Sequence, residues 1–180
     1  MIDDLDSAAR LETGDWPVAA LPAGGLDLAA IVESVTRELG ALCDEQGARI
    51  RIDLVRSVPN VRADELTSRR LVSRLLSAAV ELASHGEELT ARLDVTGSGV
   101  MFQVDKPSRI HGLTPEQIAA TAAVGDGSSA GDIALGLGFT MRLIEAMAKR
   151  AGGSLEIGRE RMTLVLPSVN VAAHENKESG

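Results

Sequence analysis

The chain has 180 residues and a mass of 18.8 kDa, 44% hydrophobic and 24% charged, enough for one ordinary globular domain with short tails. Collagen, a disulfide scaffold and wholesale disorder are thereby excluded. A formal charge of −8, with three Lys and fifteen Arg scattered along the chain, excludes the clustered-cation grip on phosphate backbones that nucleic-acid binding needs.

Residues 2–13 set Ile2, Leu5, Ala8, Ala9 and Leu11 at helical spacing, after which Gly14, Pro17, Pro22, Gly24 and Gly25 break the chain. Residues 1–25 therefore read as a short helix plus linker, with Trp16 a packed linker residue or an anchor at the junction. The acidic start MIDDLD lacks the basic region of a signal peptide, and no apolar run approaches the ~18 residues of a membrane span. A cytoplasmic location without direct membrane contact is expected. Asp27 is placed to cap a helix whose Leu28, Ile31, Val32, Val35, Leu39 and Leu42 form one apolar stripe ending before Gly47. The single Cys43 lies in that pattern, a small core residue in a reducing compartment. Arg49 to Val55 alternates charged and apolar residues as a half-buried strand does.

After Val58-Pro59, Asp64 opens a helix to about Ser84, with Leu71, Leu75, Leu76, Ala79, Val80 and Ala83 inward and Gly86 as its stop. Leu89, Leu93 and Val95, then Gly97-Ser98-Gly99, then Val100, Phe102 and Val104 spell a hairpin. Residues 106–135 are weakly patterned and include a Pro115-led helical piece and the run GDGSSAGD, the signature of a functional or mobile loop. Gly136 and Gly138 precede a helix carrying Met141, Leu143, Ile144, Met147 and Ala148, closed by Gly152-Gly153. Leu155 and Ile157, then Met162, Leu164 and Leu166, make a final hairpin, and residues 171–180 read as a disordered tail. Hairpins with helices between them predict an α/β two-layer sandwich, a mixed sheet covered on one face by helices.

Taken together, these segments resemble the ATP-binding catalytic domain of bacterial sensor histidine kinases, the Bergerat-type ATPase fold. IDDLDSAARLETG is similar to the exit of a dimerisation helix, LDLAAIVESV to the first helix of the domain, and VRADELTSRRLVSRLLSAAVELASHG to its asparagine-bearing helix. FQVDKPSRI stands at the first glycine box, LGLGF at the second, and AGGSLEI at the strand after the last helix. The resemblance puts the ATPase-like domain at residues 26–170, with a lid at about 106–135.

The resemblance also sets out what each box should hold. The asparagine helix of the family carries two Asn that face the nucleotide, one of them a Mg²⁺ ligand, followed by Lys or His; here those positions are Arg74, Ala78 and Glu81. Mg²⁺ needs oxygen ligands, and a carboxylate facing the triphosphate costs about 3–4 kcal/mol at ~4 Å. At the first box Asp105 keeps the position that accepts the adenine amino group, or is an ordinary strand-end turn residue. The glycine positions after it hold Pro107 and Arg109, where Pro fixes φ and Arg adds bulk. At the second, Gly136 and Gly138 are expected at a helix N-terminus, receiving phosphate or serving only a tight entry into the helix.

No catalytic residue and no metal site is expected. His85, His111 and His174 are read as surface residues, and Ser73 and Ser77 have no His/Asp partner in recognisable order. The lid lacks the family's Phe-rich segment and is expected to be mobile. The resemblance implies a degenerate domain, a pseudokinase in two-component signalling of the kind found among alphaproteobacterial regulators. Its expected partner is a dimerisation bundle or a response-regulator receiver, met through the lid and the face around Arg109 and Arg142. The alternatives are a divergent active kinase that phosphorylates an upstream histidine, and a sensor that binds ATP or ADP without metal.

Overall fold

The structure is a computed structural model that describes residues 24–55, 58–97, 99–120 and 129–169. The N-terminal helical piece, Trp16, His174 and the tail lie outside the described residues. Asp27 caps α1 (Leu28–Glu38), its carboxylate accepting the Ala30 N–H at 3.1 Å. The single apolar stripe expected from Leu28 to Leu42 is divided between two helices, because the chain turns at Leu39 and resumes as α2 (Gly40–Gln46). Gly40 at the break is a poor helix former. Gly47 ends α2 in the left-handed conformation, φ +65, and Ala48 then donates back to the Cys43 carbonyl at 2.9 Å.

Next come β1 (Arg49–Leu54), α3 (Glu65–Glu81), β2 (Glu88–Thr96) and β3 (Gly99–Asp105). A short 3-10 turn, Ser108–Ile110, and α4 (Pro115–Ala120) follow, then α5 (Ser129–Arg150), β4 (Ser154–Ile157) and β5 (Arg161–Leu166). The sheet has five strands in the order β1-β2-β3-β5-β4. Its β1–β2 pair is parallel, with α3 as the crossover such a pair needs, and the other pairs are antiparallel. The expected mixed sheet is therefore present.

One face of the sheet is apolar and packs under the helices: Leu89, Ala91, Leu93, Val100, Phe102, Val104, Met162, Leu164 and Leu166 are all buried. The alternate residues, such as Arg51, Arg92, Gln103 and Thr163, form the opposite face, linked by the Arg92–Asp53 and Arg51–Glu88 ion pairs. Helix α3 is the centre of the helical layer, packed against α1, α2, α5 and β3. Asp64 caps it by accepting the Thr67 N–H at 2.8 Å, and Leu71, Val72, Leu75 and Leu76 are fully buried along it. Phe102 is the one fully buried aromatic side chain among the described residues, so aliphatic packing carries the core as the composition requires.

Helix α5 starts earlier than the sequence reading placed it, at Ser129 rather than after Gly136 and Gly138. Ile133, Leu137 and Met141 continue the four-residue apolar spacing upstream through both glycines. That pattern outweighs a glycine penalty of about 1 kcal/mol each.

Candidate functional site

The site expected from the sequence has four parts: a face of α3, the end of β3, the turn after it, and the glycine pair of α5. On α3, Arg74, Ala78 and Glu81 follow at intervals of four and three residues and so share one face. Ala78 is buried and Glu81 is exposed at the helix end. Removal of water by neighbouring atoms nevertheless pushes the Glu81 carboxyl above its ordinary value. Arg74 brings a cation and Ala78 no polar atom, so the two positions matched to the asparagines hold no oxygen donor for a Mg²⁺–phosphate unit, and the one carboxylate on this face, Glu81, stands at its exposed end. Arg74 and Ala78 do not fit the metal-orienting role that the resemblance gives their positions.

Asp105 is held by structural contacts. One carboxylate oxygen accepts the Thr90 N–H at 2.9 Å, and the other lies 3.5 Å from Arg161 Nε. Strand alternation explains this: Phe102 and Val104 point under the helices, so Asp105 points to the opposite face, beside Arg161, its register partner on β5. The side chain that does turn inward is Lys106. It is 3% exposed, and its ammonium donates to the carbonyls of Leu113 at 2.5 Å and Gly158 at 3.4 Å. Burial pushes its pKa down. Sequence reasoning missed Lys106, although carrying the two-residue period from Phe102 one step beyond the strand would have found it.

The turn after β3 is pinned from below. Pro107 is buried at its start with φ −58, Arg109 is exposed on it, and Ile110 is buried at its end. Glu87, in the turn between α3 and β2, accepts the Ser108 N–H at 2.8 Å, the Ser108 hydroxyl at 2.7 Å and the Ser84 N–H at 2.6 Å. Partial burial alone would raise its carboxyl. The bonds from Ser84 and Ser108, with nearby His111, more than offset that and leave it below the ordinary carboxylate value. No local sequence signal marked Glu87, because its main partner is 21 residues away.

Gly136 and Gly138 lie inside α5, beyond its first turn, where helix N–H groups are committed to carbonyls four residues back. Their place at a helix N-terminus is thus corrected, and Gly138 is instead a buried interhelical position beside a hollow. That hollow, of about 330 Å³, is lined by Ile118, Met141, Arg142, Leu155 and Ile157 among others. Ile157 also lines a second hollow, of about 600 Å³, bordered by His111, Leu113, Thr114 and the Gly158–Glu160 hairpin tip. His85 is exposed, and Cys43 is buried with its thiol pushed up by that burial and by Asp44.

No protein-family model matches this chain, nor does any curated relative. Solved structures do. The Acinetobacter baumannii histidine kinase AdeS superposes with a TM-score of 0.64 at 15% identity, over 94% of this chain and 77% of that one. The cytoplasmic segment of histidine kinase QseC gives 0.61 at 12% identity, over 92% and 93%. The chain has the histidine kinase ATPase fold. Full-length ShkA, solved in complex with AMPPNP, gives 0.66 at 17% identity over 93% of this chain, which spans 35% of ShkA. Within this fold α3 is the helix that the sequence resemblance matched to the asparagine box, and β3 with the 107–110 turn is the segment it matched to the first glycine box. Among the described residues no helix is long and apolar enough to cross a membrane.

Proposed function

We propose that this histidine-kinase-type ATPase domain serves two-component signalling in the cytoplasm as a pseudokinase, having lost productive Mg-ATP binding and acting through protein contacts. The observation that carries the reading is the α3 face, where Arg74, Ala78 and Glu81 stand in place of metal-orienting amides. The engagement of Asp105 with Thr90 and Arg161, and the burial of Lys106 next to it, support the same reading at the base-binding end. Arg109 and Arg142, both exposed, offer cations to a dimerisation bundle or a receiver domain. Calorimetric titration of the folded chain with ATP is expected to give no magnesium-dependent heat at micromolar concentrations. Magnesium-dependent binding there would overturn the proposal and favour the divergent active kinase. A rise in thermal stability with ATP or ADP that needs no metal would favour the nucleotide sensor, since ligand at about 100 times its Kd adds ~2.7 kcal/mol.

A further inference from the structure

Strand β4 is an edge of the sheet, and among the described residues only β5 pairs with it. The hairpin closes with the Gly158 N–H on the Arg161 carbonyl at 2.8 Å. Antiparallel alternation then makes Glu156–Thr163 and Ser154–Val165 the hydrogen-bonded pairs and leaves Leu155 and Ile157 at the other positions. The N–H and C=O groups of Leu155 and Ile157 thus point away from β5, out of the sheet edge. The same two residues line the hollow beside α5, and Ile157 lines the second hollow as well. Free main-chain groups two residues apart, over a groove that takes alternate side chains, match the requirements of an added strand. The other edge, β1, is guarded by exposed Arg49, Arg51 and Asp53.

We propose that the β4 edge is a docking site for an extended segment of another protein, one that alternates apolar and basic residues and joins the sheet beyond β4. The apolar residues follow from the groove, whose walls include Ile118, Met141, Leu155 and Ile157. The groove rim carries both signs, so it does not set the charge. That is set on the opposite face, where the residue facing Glu156 would lie beside an exposed carboxylate that has no ion-pair partner among the described residues. A basic residue there is favoured, as the −8 charge of the whole chain also favours. A second copy of this chain is disfavoured by the same carboxylate. The two-fold register that uses Leu155 and Ile157 of both copies sets Glu156 directly opposite itself.

Amide hydrogen exchange on the full chain tests this, with short synthetic peptides of alternating Val and Lys or Val and Glu as probes. The Val-Lys peptide is expected to slow exchange at Leu155 and Ile157 and to leave Ser154 and Glu156, already bonded to β5, unchanged. Leu155→Pro removes an outward donor without touching a β4–β5 bond and should abolish that protection. The surface change Glu156→Lys should weaken the Val-Lys peptide about fivefold and reverse the preference between the two peptides. The proposal fails if neither peptide protects those amides, or if Glu156→Lys leaves the affinity unchanged. It also fails if they are protected without peptide in proportion to protein concentration, which would assign the edge to a second copy.

Discussion

At the scale of single residues, Glu87 shows how a carboxylate with no local sequence signal can hold the turn that the sequence resemblance matched to the first glycine box. Its three hydrogen bonds join the end of α3 to the start of the 3-10 turn, beside a direct bond of 2.7 Å between the Ser84 and Ser108 hydroxyls. The bonds favour the charged form, and the folded-state pKa lies below the ordinary value of 4.5. A group of that kind adds stability above its unfolded pKa, and the contribution disappears as pH falls through the folded value. Glu87→Gln should therefore lower stability by about 1–2 kcal/mol at neutral pH. In urea melts at a series of pH values the gap between wild type and variant should stay constant down to about 4.5 and narrow below it. Lys106 and Asp105 make the complementary case. Their directions were legible from the alternation of β3, but the family motif drew the reading to Asp105 because the motif is written in residue types and not in faces. The common face of Arg74, Ala78 and Glu81 on α3, by contrast, was legible, since only the helical period is needed to set it.

At the scale of elements, hydrophobic period and caps account for most of the architecture. Both helix starts predicted from an Asp are capped by that Asp, at Asp27 and Asp64. Strand alternation placed both hairpins. Two boundaries were misread for physical reasons. Leu39 carries the apolar stripe across a turn, so periodicity alone could not see the break between α1 and α2. At α5 the two glycines looked like an entry signal, yet the four-residue spacing of Ile133, Leu137 and Met141 runs through them. The mixed sheet followed from the order of elements, but the parallel placement of β1 against β2 depends on the crossover by α3, which spacing alone does not show. Because α3 touches α1, α2, α5 and the sheet together, weakening its first turn should be felt by the whole domain. Asp64→Ala is expected to cost about 1 kcal/mol and to lower the melting temperature by about 3 °C in a calorimetric scan. Asp64→Asn, which keeps a capping oxygen, should restore most of it.

At the scale of the whole molecule, the beginning and the end of the described chain are fastened to each other. Leu26 and Val61 exchange hydrogen bonds at 3.0 and 2.9 Å, Arg62 donates to the Pro167 carbonyl at 2.7 Å, and Val169 donates to the Asn60 carbonyl at 2.9 Å. The Asn60 amide also donates to the Gly24 carbonyl at 2.7 Å. The entry to α1, the approach to α3 and the exit from β5 therefore meet in one clasp. Gly25 makes the clasp possible, with φ +72 and no room for a Cβ, which would fall on Val169 Cγ2 and 2.8 Å from Asn60 Cβ. Gly25→Ala is thus expected to open the clasp and leave the sheet intact. Its signature should be faster amide exchange at Leu26, Val61 and Val169, with the protected amides of β3 and β5 unchanged. Asn60→Ala, which removes only the contact to Gly24, should speed exchange less. Equal loss of protection in the central strands would instead make the clasp part of one cooperative unit with the core, because amides that open independently exchange at their own free energies.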